Sequence, residues 1–95
     1  MKNLLKEKIA YTVDKKQLND LIYQMLSLLC EENGKNIEKY KINLHIKIID
    51  QKIEIRYQTN GCDDTDVISI PQKEKDVPYF MERIRDFVAQ VYTCF

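Results

Sequence analysis

Residues 42–59, INLHIKIIDQKIEIRYQT, carry an apolar side chain at every second position on both sides of a central Asp-Gln pair. A period of two is the mark of a strand with one buried face. If Asp50 and Gln51 form the tip of a hairpin, Ile48 faces Ile53, Ile46 faces Ile55, Leu44 faces Tyr57 and Ile42 faces Thr59 on one side, while Lys47 faces Glu54 and His45 faces Arg56 on the other. A slip by one residue would carry every side chain to the wrong face, so this register is strongly specified. Asp-Gln is a weaker two-residue turn than Asn-Gly, and a four-residue loop with the same pairing is the alternative. Tyr40 continues the alternation backwards.

Upstream the period lengthens to that of a helix. In VDKKQLNDLIYQMLSLLCEENG, Leu18, Leu21, Ile22, Met25, Leu28 and Leu29 recur at helical spacing. Asp14 is placed to cap with Gln17 three residues on, Val13 and Leu18 stand where a hydrophobic staple forms, and Asn33-Gly34 supplies a left-handed stop. These signals predict a helix over residues 15–33. Tyr23, Leu26 and Cys30 widen its stripe beyond the ordinary ~100° and are expected to look away from the sheet.

Downstream, TNGCDDTD reads as a loop carrying Asp63, Asp64 and Asp66, and VISI as a short third strand that Pro71 ends. Asp76 and Pro78 open a second helix, with Phe80, Ile84, Phe87, Val88, Val91 and Phe95 on one face and Glu82, Arg83, Asp86 and Gln90 on the other. Residues 1–13 read two ways. NLLKEKI suggests a helical turn, whereas Ile9, Tyr11 and Val13 alternate like an edge strand. The expectation is one α+β domain over residues 1–95, a three-stranded antiparallel sheet with both helices packed on its single apolar face, in the order α-β-β-β-α.

The element order resembles that of the double-stranded RNA-binding domain, over most of the chain. That family grips phosphates with a basic cluster at the start of its last helix. Here PQKEKDVPYFMERIR interleaves Glu74, Asp76 and Glu82 with Lys73, Lys75, Arg83 and Arg85, so the resemblance reaches the order of elements and not the binding residues.

Composition narrows the function classes. The chain of 95 residues is 44% hydrophobic and 32% charged, with 15 basic against 15 acidic side chains and no net charge. It therefore lacks the overall positive field that draws a protein to nucleic acid. The open face of the hairpin is locally basic, and Lys41, Lys47, Lys52 and Arg56 are the candidate phosphate contacts in a nucleic-acid reading. No aromatic platform for stacked bases accompanies them.

Catalysis has no positive signal. His45 is the one histidine, and its neighbours on the strands are Asn43, Lys47 and Arg56. Cys30, Cys62 and Cys94 fit no metal-ligand spacing, and Cys62 beside Asp63 and Asp64 is a poor setting for a thiolate. Neither a metal nor a cofactor is expected. An odd set of dispersed cysteines, with no apolar signal core in MKNLLKEKIAYTV, points to the reducing cytoplasm, and no apolar run is long enough to cross a bilayer.

A protein interface is the class that the apolar pattern favours. The surplus apolar side chains of the first helix must be covered by Leu4, Leu5 and Ile9, by the second helix, or by another molecule, of which a second copy in a symmetric dimer is the commonest form. Tyr23, Leu26, Tyr79, Tyr92 and Phe95 are the expected anchors on a partner, with the lysine-rich sheet face or Asp63, Asp64 and Asp66 steering the encounter. The working expectation is a small non-enzymatic regulator or inhibitor that acts by binding a protein.

Overall fold

A computed structural model describes residues 13–95 of the chain. Helix α1 spans Lys15–Glu32, strands β1, β2 and β3 span Asn43–Ile49, Lys52–Thr59 and Cys62–Ser69, and helix α2 spans Val77–Tyr92. Short 3₁₀ turns stand at Ile37–Lys39 and Glu74–Asp76. The strands form one antiparallel sheet in the order β1-β2-β3, and the α-β-β-β-α arrangement expected of the chain is the one observed. The expectations for residues 1–12, including the cover offered by Leu4, Leu5 and Ile9, lie outside the described residues.

Each end of α1 is closed by the chemistry that its flanking residues provide. The Asp14 carboxylate accepts from the backbone N–H groups of Lys16 at 2.8 Å and Gln17 at 3.2 Å, satisfying two of the orphan donors of the first turn. At the other end Gly34 takes φ +69°. The N–H of Lys35 then reaches Cys30 O at 2.7 Å and that of Gly34 reaches Glu31 O at 3.2 Å, the paired bonds of a Schellman stop.

The hairpin has the register read from its alternation: Leu44 opposite Tyr57, Ile46 opposite Ile55 and Ile48 opposite Ile53, with Lys47 opposite Glu54 and His45 opposite Arg56 on the other face. Asp50 turns the corner with φ 54°, a left-handed conformation that Asp tolerates better than most residues. Ile42 and Tyr40 lie outside the ladder, since β1 begins at Asn43 and the 3₁₀ turn precedes it. The larger departure is in β3. Residues 62–66, read as loop, are paired strand residues opposite residues 55–59. Asn60 and Gly61 both take positive φ, 47° and 80°, which is the signature of a two-residue hairpin turn whose twist matches the strands. That turn imposes the pairing on an Asp-rich segment of low strand propensity.

The core lies between the inward face of the sheet and the two helices. Leu18, Ile22 and Leu26 of α1 and Ile84, Phe87, Val88 and Val91 of α2 share one cluster with Ile53, Ile55, Tyr57 and Ile68. Both helices therefore cover the same face. Tyr57 meets Phe87 edge to face, with ring centroids 5.6 Å apart.

A disulfide joins Cys62, at the start of β3, to Cys94, just beyond α2. It anchors the end of the last helix to the β2–β3 turn, where Asn60 Nδ2 also donates to Cys94 O at 3.2 Å. Cys62 and Cys94 are far apart in sequence but 6.3 Å apart at Cα, and only Cys30 is free. The inference from cysteine number to a reducing compartment loses its premise. Among the described residues, no helix is long and apolar enough to cross a membrane.

Candidate interaction surface

The apolar stripe of α1 is as wide as its sequence implies but is turned about its axis. The side chains facing the sheet are Leu18, Ile22, Leu26 and Cys30, four residues apart, and all are buried. Leu26, expected to look outward to a partner, has no exposed surface. It is a core residue. The rotation is about 80° relative to the stripe of Leu18, Leu21, Ile22, Met25, Leu28 and Leu29. Burial also pushes the Cys30 thiol up in pKa, although the nearby Lys35 opposes the shift, so this cysteine is held as the protonated form.

The same rotation delivers Met25, Leu28 and Leu29 to the seam that α1 makes with α2. Together with Val88 and Ala89 they line an apolar groove on the side of the helix pair away from the sheet, with Glu32 and Arg85 also on its walls. Leu28 is 58% exposed. The sequence sets Leu28 in the helical stripe with Leu18, Leu21, Ile22, Met25 and Leu29. The missed signal was the regular run Leu18, Ile22, Leu26, Cys30, whose shared spacing defines a narrower inward face than the whole stripe.

The remaining expected anchors divide between inner and outer roles. Tyr23 is half-buried, its hydroxyl donating to Ile42 O at 2.7 Å, and burial raises its pKa. It ties α1 to the segment leading into β1. Tyr92 and Phe95 are also half-buried: Phe95 stacks on Tyr40 with ring centroids 4.3 Å apart, Tyr92 lies 5.7 Å from Phe95, and Lys35 Nζ sits 5.0 Å from the centre of the Tyr92 ring. Lys35 Nζ also donates to Phe95 O at 3.2 Å. These aromatics close the C-terminal end of the domain. Tyr79, 63% exposed in the first turn of α2, is the one expected aromatic that stands in solvent, and it does not line the groove.

The open face of the sheet is less basic than its sequence suggested. Lys41, Lys47, Lys52 and Arg56 are exposed. Arg56, however, forms a two-pronged ion pair with Asp63, from Nε at 3.0 Å and Nη2 at 2.7 Å. Hydrogen bonds from Arg56 and then Gln58 hold the Asp63 carboxyl at a pKa of about 2, and the bond to Asp63 in turn raises that of Arg56. The guanidinium is engaged by its own sheet rather than offered to a phosphate.

The other two acidic residues are also committed. Asp64 accepts from Gln90 Nε2 at 2.6 Å and Asp66 from Arg83 Nη2 at 2.9 Å, so both clamp β3 to α2. A loop would have left these carboxylates in solvent; a strand turns alternate ones, Asp64 and Asp66, towards the helix. At the hairpin end of the open face, Ile49 and Val67 are 54% and 49% exposed and line a second depression with Lys52 and Glu54. His45 shares a third with Lys47, Glu54 and Arg56. Among the described residues, no group of three His, Cys, Asp or Glu side chains is placed to hold a metal ion.

Comparisons with family models, with curated proteins and with solved structures find no match for this chain.

Proposed function

We propose that this chain is a non-enzymatic protein-interaction module that receives an amphipathic helix of a partner protein in the groove between α1 and α2, and that it regulates or inhibits that partner by occupying it. The reading rests on Leu28. A leucine more than half exposed, on the rim of an apolar seam with Met25, Leu29, Val88 and Ala89, is contiguous apolar surface rather than a scattered surface residue. Two adjoining ridges of side chains with a furrow between them form the shape that a third helix packs into, through anchors three and four residues apart. Glu32 on one wall and Arg85 on the other select a partner helix with a basic side chain on one flank and an acidic one on the other.

The nucleic-acid reading is disfavoured by the ion pairing of Arg56, by the carboxylates of Glu54 and Asp63 on the same face, and by the absence of aromatic side chains among the face's exposed positions.

The test is affinity capture from the native host with the wild-type chain and with Leu28→Glu as baits, followed by titration of each captured protein. Leu28→Glu is expected to keep the wild-type melting temperature within a few degrees, because the position is on the surface, and to lose the specific partner. Equal capture by both baits rejects the groove. Micromolar binding to duplex or single-stranded RNA or DNA that falls steeply with salt rejects the whole reading in favour of the basic face.

A further inference from the structure

A sheet of three strands has two edges, and this one treats them differently. At the β3 edge, Asp63, Asp64 and Asp66 crowd one strand with carboxylates, and Asp64 and Asp66 are turned to the inward side, where they bond Gln90 and Arg83. Inward-pointing charges are a recognised way of preventing an edge from pairing with another chain. Among the described residues, the β1 edge lacks this protection. Its residues NLHIKII contain no proline, their ladder to β2 runs without a bulge from Asn43 to Ile49, and Lys47 is the only Lys, Arg, Asp or Glu among them.

The inward side chains of β1 are also incompletely covered. Leu44, Ile46 and Ile48 are half-buried, whereas their partners on β2, Tyr57, Ile55 and Ile53, are buried. The difference arises because a central strand is flanked on both sides and an edge strand on one. Among the described residues no fourth strand adjoins β1, and one with apolar residues at the same alternate positions completes the cover.

The sequence of β1 is its own complement for that purpose. When two copies run antiparallel about a twofold axis through Ile46, Ile46 meets Ile46 of the second copy, Leu44 meets its Ile48, His45 meets its Lys47 and Asn43 meets its Ile49. Every inward pair is then apolar, and no outward pair sets two ammonium groups or two carboxylates together. Shifting the axis by one residue keeps the faces matched but brings two copies of Lys47 or of His45 directly opposite each other, and shortens the overlap. The seven-residue strand, about 23 Å long, is used in full only by the Ile46-centred register. We infer that the β1 edge is a homodimer interface at which two copies of this chain join antiparallel about Ile46, making one continuous six-stranded sheet. The occupant is a second copy, and the surface is distinct from the helical groove, so the two are lost by different substitutions.

The experiment uses the full chain. Light scattering across a concentration series is expected to show the mass doubling. Asn43→Cys and Ile49→Cys, both at exposed positions, are expected to give a mixed intermolecular disulfide when the two variants are combined under mild oxidation, and none of comparable yield when either is oxidised alone. His45→Lys sets two lysine pairs across the axis and is expected to weaken dimerisation roughly threefold to tenfold while leaving the melting temperature of the dilute monomer close to wild type. Leu28→Glu is expected to leave the dimer unchanged. A strict monomer at the highest attainable concentration overturns the inference, and so does a dimer that gives no 43-to-49 cross-link or that His45→Lys leaves untouched.

Discussion

Replacing both Cys62 and Cys94 by serine removes the covalent tie between the β2–β3 turn and the end of α2 with almost no change in side-chain volume. The two residues are 32 apart in sequence, and closing a loop of that size withdraws about 3.7 kcal/mol of chain entropy from the unfolded state at 25 °C. A domain of this length has a total stability of about 5–10 kcal/mol, so the bridge accounts for a large share of it. With a urea dependence of about 1.2 kcal/mol per molar, the unfolding midpoint is expected to fall by about 3 M. The transition is followed by tyrosine emission, since the chain has 6 Tyr and no Trp. Wild-type protein treated with a thiol reductant is expected to match the serine variant, which separates loss of the bond from any effect of the substitutions. A thiol titration in denaturant checks the premise: of the chain's 3 cysteines, one is reactive when the bridge is formed and three when it is not. Equal midpoints for wild type and variant, or three reactive thiols in protein purified under air, refute the reasoning.

The corrected orientation of α1 predicts that Leu26→Ala costs about 2–5 kcal/mol, whereas Leu28→Ala, at an exposed position, changes the stability measured by urea unfolding by less than about 0.5 kcal/mol. Thr59 is 4% exposed and its hydroxyl has no hydrogen-bond partner among the described residues, so Thr59→Val, which replaces that hydroxyl with a methyl group of similar size, is expected to raise stability by about 1 kcal/mol in the same assay. Asp63, with its pKa lowered from 3.8 to about 2, contributes stability that is present above pH 4 and lost as the pH falls from about 4 towards 2. Asp63→Asn is expected to flatten the pH dependence of the melting temperature in that window and to leave it unchanged near neutrality apart from a constant offset.

Much of the fold was legible because local signals agreed with one another. The alternation of residues 42–59 admits one register, and the caps at Asp14 and Gly34 bound the first helix by hydrogen bonds whose partners lie within a few residues. The candidate site was less legible. A wide apolar stripe states that a helix has surplus surface to bury but not which part of it faces the sheet, and this ambiguity exchanged the roles of Leu26 and Leu28. The acidic segment Asp63–Asp66 misled for a related reason, since low strand propensity was outweighed by the Asn60-Gly61 turn and by Arg83 and Gln90, which lie 17 and 26 residues beyond the aspartates they bond.

The sequence by itself determined the elements, their order, the pairing of the first hairpin and the single apolar face of the sheet. These follow from periodicities and caps that act over a few residues. Only the tertiary structure decided the rotation of α1, the union of Cys62 with Cys94, the capture of Arg56 and the three aspartates by internal partners, and the unequal protection of the two sheet edges. Each depends on how rigid elements settle against one another, a balance of packing and desolvation among residues distant in sequence that no local pattern encodes.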